Sequence, residues 1–180
     1  MHATLCDLIT DLVQNSIEAA ASEITLNIEE TKTNLNVVIA DNGNGMSAET
    51  LEKAKDPFYS DGKKHLYRKV GLGLPFLFQT SEMTRGTTTV ESKEDVGTTV
   101  TFNLDATNVD LPMFGNFTTA AITLMTYGFE GNLTIERCVN GKGYSVSKLE
   151  LQEALGELND LESLTLLRKF IETNEEEISG

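Results

Sequence analysis

Asp11-Leu-Val-Gln-Asn15 lies on a predicted helix, Asp41-Asn-Gly-Asn-Gly45 follows a predicted strand, and Gly71-Leu-Gly-Leu74 opens a second predicted helix. None of these three stretches is specific alone. In this order and at these separations, an amide on a helix, a carboxylate at a strand end and a late glycine loop can together hold a nucleotide and its metal ion. These three stretches therefore predict a site for a nucleotide and its metal ion.

The helix around the first stretch is predicted from hydrophobic periodicity. Between residues 4 and 21, apolar side chains recur at the i, i+3, i+4, i+7 spacing of one buried stripe. Asp11 and Asn15 lie one turn apart beside that stripe. The amide oxygen of Asn15 is a suitable ligand for Mg²⁺, and Asp11 could hold a metal-bound water or accept a proton from it. A solvated polar helix edge is the alternative interpretation.

Two strands are predicted next, because apolar residues alternate with polar ones between 24 and 28 and again between 35 and 39. The second strand ends at Asp41, whose carboxylate can accept a hydrogen bond from the exocyclic amine of a purine. Gly43 and Gly45 permit a tight turn and the close approach of a flat ring. A calcium loop is excluded, because the third and fifth positions lack oxygen side chains and Met46 replaces the required glycine.

The late glycine loop precedes a helix, and free N–H groups at a helix start favour phosphate. It is neither the dinucleotide fingerprint nor the P-loop, since the Lys-Ser/Thr pair is absent and no strand runs directly into it. Four cations lie just upstream and could neutralise a triphosphate, unless they form an ordinary charged loop: Lys63, Lys64, Arg68 and Lys69.

The rest of the chain divides into elements that are predicted from similar patterns. A short helix follows Ser47, and a helix runs from Gly71 to about Gln79. The later elements are strands near 87–92 and 98–104, a linker at 105–112, a helix at 115–127, a hairpin of 133–135 with 144–146, and helices near 148–156 and 161–177. We expect a nucleotide-binding domain over 1–105 and a C-terminal extension over 112–180, which either packs on the sheet or presents a partner-binding or dimer surface.

Bulk composition excludes several classes of protein. The net charge of −14 argues against nonspecific binding to nucleic acid or to anionic lipid. No apolar run approaches the roughly 20 residues that a membrane span needs, and the start of the chain does not resemble a secretory signal. Cys6 and Cys138 are widely separated and are predicted to be buried small side chains in a reducing compartment. We therefore expect a cytoplasmic protein.

Five stretches together resemble the GHKL superfamily, which unites the ATP-binding domains of gyrase, heat-shock chaperones, histidine kinases and mismatch-repair proteins. The resemblance covers about residues 4–104 in the expected order and is closest to the catalytic domain of sensor histidine kinases. The stretches are similar to the Asn-containing helix (11–19), the first glycine box (41–46), the Phe-containing box (56–59), the second glycine box (70–75) and the final Gly-Thr strand motif (97–102).

This resemblance implies an α+β fold, a two-layer α/β sandwich whose mixed, mostly antiparallel sheet carries helices on one face. ATP would lie between the helices under a flexible lid. By position, Asn15 would ligate Mg²⁺, Asp41 would bind adenine, and Gly43 and Gly45 would admit the ring. The remaining ATP-binding residues implied by the boxes and the loop are Met46, Lys64, Gly71, Leu72, Gly73, Leu74 and, lining the adenine pocket, Thr99.

The activity that the resemblance implies depends on Asp11. Gyrase-like members carry Glu at this position to activate water, and Asp is one methylene shorter. A displacement near 1 Å can cost on the order of 100-fold in rate. His2 and His65 are the only histidines, and neither lies in a helix that resembles a phosphoacceptor region. We expect a stand-alone Mg-ATP-binding kinase or regulator acting on a separate protein; the alternatives are an ATPase using Asp11 and a non-catalytic ATP-binding module. A homodimer formed through the C-terminal extension is also open.

Overall fold

The computed structural model describes residues 4–56 and 73–180. In these ranges the strands are β1 (Glu23–Glu30), β2 (Asn34–Asp41), β3 (Thr87–Lys93), β4 (Gly97–Asp105), β5 (Asn132–Val139) and β6 (Lys142–Ser147). The helices are α1 (Leu5–Glu18), α2 (Ala48–Lys55), α3 (Gly73–Met83), α4 (Phe117–Thr126), α5 (Lys148–Leu155) and α6 (Leu161–Ser179). The predicted elements are present, with small shifts at their ends.

One sheet joins all six of these strands in the order β3-β4-β2-β1-β5-β6. Neighbouring strands are antiparallel except β1 and β5, which are parallel. The sheet is therefore mixed and mostly antiparallel, and the expected α+β sandwich is confirmed. Among the described helices, none is long and apolar enough to cross a bilayer.

The hydrophobic core lies on one face of the sheet, because strand side chains alternate between faces. A continuous row of apolar pairs crosses the sheet on that face: Val90, Val100, Ile39, Leu26, Ile135 and Val146. The buried side chains of α1, α3, α4 and α6 belong to the same core. The other face carries mainly threonine, asparagine and glutamate, as expected for a face turned towards water.

The first helix is fixed at its N-terminus by two kinds of contact. Thr4 forms a capping box with Asp7, which satisfies backbone donors in the first turn. The N–H groups of Leu5 and Cys6 donate to the carbonyls of Met113 and Phe114, at 2.9 and 2.8 Å. The start of α1 is thus held by the segment that leads into α4.

The C-terminal residues continue the same sheet. Strand β5 pairs with β1 in a register that sets Leu133 beside Ile24 and Ile135 beside Leu26. Helix α4 packs against α1, and α6 packs against α4. Residues on both sides of the 105–112 linker therefore share one core. The boundary between a 1–105 domain and a 112–180 extension stays a prediction.

Burial differs between the two cysteines. Cys6 faces the core, and this burial raises the pKa of its thiol to about 12, as suits a small hydrophobic side chain. Cys138 is only half-buried. It pairs with the exposed Glu29 on the outer face of the sheet, so the expectation that both cysteines are buried is wrong for Cys138.

Candidate functional site

The carboxylate of Asp41 is held firmly at the end of β2. Oδ1 accepts hydrogen bonds from the N–H of Gly43 at 2.8 Å and from the N–H of Thr98 at 3.3 Å. Oδ2 accepts a hydrogen bond from Oγ of Ser16 at 2.6 Å. A carboxylate has about four acceptor positions, so three are used and Oδ2 keeps one for a ligand donor.

Ser16 is a site residue that the sequence patterns did not identify. Its side chain is 5% exposed within the otherwise apolar buried stripe of α1. A buried hydroxyl needs a hydrogen-bond partner, and here the partner is Asp41. The sequence indicates this residue only by a polar side chain at a core position. Its partner lies 25 residues away, so the pattern of the helix alone does not predict the contact.

The first glycine box packs against the end of α1. A Cβ on Gly43 would lie 2.7 Å from the carbonyl oxygen of Ala19 and 3.0 Å from Oδ1 of Asp41. Gly45 has a φ of +63°, and a Cβ there would collide with the Lys93 carbonyl. Both glycines therefore let the turn approach its neighbours closely. Because Gly43 has no side chain, position 43 does not cover the carboxylate of Asp41.

Thr99 does not lie beside Asp41. It pairs with Ala40 and Glu91, on the face of the sheet opposite to the core. Thr98 is the residue that pairs with Asp41, and its backbone N–H bonds that carboxylate. Because strand side chains alternate with a period of two, a shift of one residue moves the predicted contact to the other face. Thr98 is therefore the β4 residue next to Asp41, and the expectation that Thr99 lines the adenine pocket stays a prediction.

Met46 joins this cluster through its backbone. Its N–H donates to Oγ of Ser92 at 2.8 Å, and that hydroxyl lies 2.7 Å from Oγ1 of Thr98. Ser92 pairs with Thr98 across β3 and β4 on the core face. One end of the sheet therefore brings together the ends of β2 and β3, the start of β4 and the first glycine box.

The residues predicted for metal and phosphate lie further along α1. Asn15 precedes Ser16 and is half-buried, and no residue in 4–56 or 73–180 hydrogen-bonds to its side chain. Asp11 lies one turn earlier. Its Oδ2 would be 2.8 Å from a Cβ on Gly73, the first residue of α3. The start of α3 therefore rests directly against Asp11.

These positions follow one another along α1, from the end of β2 to the start of α3. With a rise of about 1.5 Å per residue, Ser16 and Asp11 are separated by about 7.5 Å along the axis of α1. These positions present the carboxylate of Asp41, the neutral amide of Asn15, and the carboxylate of Asp11 beside Gly73. Leu74 is half-buried and packs on the core. Lys64, Gly71 and Leu72 lie outside the described residues.

Comparison with known proteins identifies similar domains. Residues 2–108 match the family described as histidine kinase-, DNA gyrase B-, and HSP90-like ATPase. The heme sensor protein HssS of Staphylococcus saprophyticus is 32% identical over 101 residues, which are 56% of this chain and 21% of that protein. The sensor protein CiaH of Streptococcus pneumoniae is 35% identical over 98 residues, which are 52% of this chain and 22% of that protein.

The chain therefore spans about a fifth of the length of these curated relatives. Among solved structures, the N-terminal domain of a DNA repair protein superposes with a TM-score of 0.55 at 18% identity, over 81% of this chain and 52% of that one. At this identity the likeness concerns the fold alone. It covers a larger share of the chain than the family match does.

Proposed function

Because the chain belongs to the histidine kinase-, DNA gyrase B-, and HSP90-like ATPase family, we propose that it binds Mg-ATP and transfers the terminal phosphoryl group to a separate partner protein. The observation that carries the nucleotide part is the carboxylate of Asp41. Three donors fix its orientation and one acceptor position remains on Oδ2. A purine amine is a suitable donor for that position.

The donor set also fits the rest of the ligand. Asn15 offers a neutral amide oxygen of the kind that Mg²⁺ accepts alongside water and phosphate oxygens. When bound, the metal would neutralise charge on the phosphates in an in-line transfer. Phosphate would approach the free N–H groups at the start of α3. Gly73, the first residue of α3, places no side chain there, and a Cβ at this position would lie against the carboxylate of Asp11. The metal would then contact Asn15, the base would contact Asp41, and the phosphates would lie at Gly73.

Transfer to a partner is supported by two considerations. The similar proteins include several that are named sensor proteins and one that is named sporulation kinase B, from Bacillus subtilis. In addition, Asp11 is one methylene shorter than the Glu that activates water in gyrase-like members, and misplacing a catalytic base by about 1 Å can cost about 100-fold in rate. A nucleophile supplied by another protein does not depend on that base.

One contact favours hydrolysis as a second candidate function. Oδ2 of Asp11 lies against Gly73, which is where the phosphates are expected. A carboxylate at this end of the site could accept a proton from water during attack on the terminal phosphate. In that case the chain would be an ATPase with Asp11 as its general base.

The test uses ATP labelled on its terminal phosphate, with Mg²⁺, alone and in the presence of cell extract. Label on a second protein supports the kinase, and free phosphate that disappears in an Asp11→Asn variant supports the ATPase. Bound but unchanged ATP supports a non-catalytic module. Asp41→Asn should weaken ATP binding by about 10-fold or more, since a hydrogen bond to a charged group contributes about 1.5–3 kcal/mol.

Asp110→Asn is the matched control, because it makes the same change in charge at an exposed position of the linker. It should bind ATP like the unaltered protein. If Asp41→Asn also binds ATP normally, the assignment of Asp41 to the base is wrong.

A further inference from the structure

Ser92 lies at the base of the site, and its hydroxyl has three polar neighbours. Oγ accepts a hydrogen bond from the N–H of Met46 at 2.8 Å. It lies 2.7 Å from Oγ1 of Thr98 and 3.3 Å from the carbonyl oxygen of Gly97. Ser92 is half-buried and shares the core face with Thr98 and Asp41. It therefore touches both the glycine box and the residue next to Asp41.

The number of hydroxyl protons limits how the hydrogen bonds around Ser92 can be arranged. A serine hydroxyl has one proton and can accept two hydrogen bonds. The amide of Met46 can only donate, so the proton of Ser92 goes either to Thr98 or to the carbonyl of Gly97. The distance of 2.7 Å to Thr98 is typical for O–H···O hydrogen bonds, whereas 3.3 Å exceeds the usual range of about 2.5–3.0 Å.

The two arrangements differ in what Thr98 can offer to a ligand. If Ser92 donates to Gly97, Thr98 must donate to Ser92, and no proton of Thr98 remains. If Ser92 donates to Thr98, the Thr98 proton is available for a ligand acceptor. The second arrangement avoids the long bond and gains a bond to the ligand. It also forms a chain in which each donor strengthens the next.

We propose that Ser92 is a positioning residue that orients the Thr98 hydroxyl as a hydrogen-bond donor towards a ring nitrogen of the base. This inference rests on the proposed ATP binding, in which Asp41 accepts from the amine. An acceptor at Asp41 beside a donor at Thr98 is complementary to an amine adjacent to a ring nitrogen, as in adenine. Guanine presents a carbonyl adjacent to a ring N–H, which is the reverse order. Ser92 thus contributes to the choice of adenine although it acts through Thr98.

The test compares the binding of three nucleotides by calorimetric titration with Mg²⁺: ATP, 1-deaza-ATP and 7-deaza-ATP. Each analogue lacks one of the two ring nitrogens that flank the amine side of adenine. The unaltered protein should bind ATP about 3- to 10-fold more tightly than 1-deaza-ATP, the range for one net hydrogen bond. It should bind 7-deaza-ATP like ATP, because N1 is the ring nitrogen next to the amine and N7 is an acceptor in both purines. Ser92→Ala should weaken ATP binding by a similar factor and abolish that preference. Ser92→Thr retains the hydroxyl and should restore both.

The outcomes separate this inference from the proposed function. If the unaltered protein does not bind ATP, the proposed function fails. If ATP binds but Ser92→Ala weakens ATP and both analogues equally, Ser92 has only a structural role and the inference is overturned. Equal affinity of the unaltered protein for ATP and 1-deaza-ATP overturns it as well. Should Ser92→Ala not fold, as judged by circular dichroism, Ser92→Cys keeps the shape with a poor donor and must show the same loss of preference.

Discussion

At the scale of single residues, the contacts of Asp41 show what a sequence can and cannot reveal. Asp41, Asn15 and Gly43 were identified from residue type and local position. Ser16, Thr98 and Ser92 were not, because their partners are distant in sequence. The bond from Ser16 to Asp41 spans 25 residues, that from Thr98 to Asp41 spans 57, and that from Met46 to Ser92 spans 46. Strand register decides such contacts, and local patterns do not contain it.

Neighbouring threonines on β4 provide a direct test of that register. We expect Thr98→Val to weaken ATP binding by about 3- to 10-fold, because it removes one hydroxyl from the site without changing side-chain volume much. Thr99→Val is the matched control on the opposite face of the same strand. Its affinity for ATP should stay within about 2-fold, since surface changes away from the site have small effects. Calorimetric titration measures both, and a larger loss in Thr99→Val would show that Thr99 lines the pocket after all.

Gly43 tests how closely the glycine box packs on α1. A Cβ there would lie 2.7 Å from the Ala19 carbonyl oxygen, which belongs to the backbone and cannot move independently. We expect Gly43→Ala to lower the free energy of unfolding by about 1–3 kcal/mol, as overpacked sites do.

Gly128→Ala is the control, because nothing lies within 4 Å of a Cβ at that position. Urea unfolding should show a change of at most about 0.5 kcal/mol there. Equal stability of the two variants would mean that the box is not packed against Ala19.

At the scale of elements, the helices and strands were predictable and their partners were less so. The apolar stripe of α1 and the alternation in β2 are local patterns, and both elements formed where expected. The pairing of β5 with β1 is different. It joins residues more than 100 positions apart in a parallel register, and no local pattern in either strand specifies it. The place of the C-terminal hairpin in the sheet therefore could not be read from the sequence.

Arg137 of β5 fixes this hairpin to α6 through buried charge. Its side chain is 4% exposed, and Nη2 donates to Glu30 at 2.7 Å. Nε lies 3.5 Å from Glu175 of α6, which is close enough for an ion pair, although the geometry is not that of a hydrogen bond. The guanidinium also lies 4.7 Å from the ring centre of Phe114. Three separate parts of the chain thus meet at one cation.

We expect Arg137→Ala to lower the free energy of unfolding by about 3 kcal/mol. Removing one partner of a buried ion pair typically costs about 3–5 kcal/mol, and the lower end applies because Glu30 is 35% exposed. Arg168→Ala breaks an ion pair to Glu172 in which both side chains are about half exposed, and it should cost at most about 1 kcal/mol. Urea unfolding compares the two, and equal losses would show that burial of Arg137 adds nothing to stability.

At the scale of the whole molecule, the candidate site and the C-terminal residues share one core. The row of apolar pairs from Val90 to Val146 crosses from one sheet edge to the other without interruption. Helix α4, beyond the linker, packs on α1, which carries Asn15 and Asp11. Such continuity favours unfolding as a single cooperative unit. Ligand binding at α1 should then stabilise strands on both sides of the linker.

Hydrogen exchange can measure this coupling directly. A ligand at 100 times its dissociation constant stabilises the native state by about 2.7 kcal/mol, which slows exchange through global unfolding by about 100-fold. With Mg²⁺ and a non-hydrolysable ATP analogue, the slowest amides of β2 and of β5 should slow by the same factor. The Asp41→Asn variant, which binds about 10-fold or more weakly, should show slowing of at most about 10-fold in both strands at that ligand concentration. Slowing confined to β2 would instead mean that residues 112–180 unfold independently, as a separate extension would.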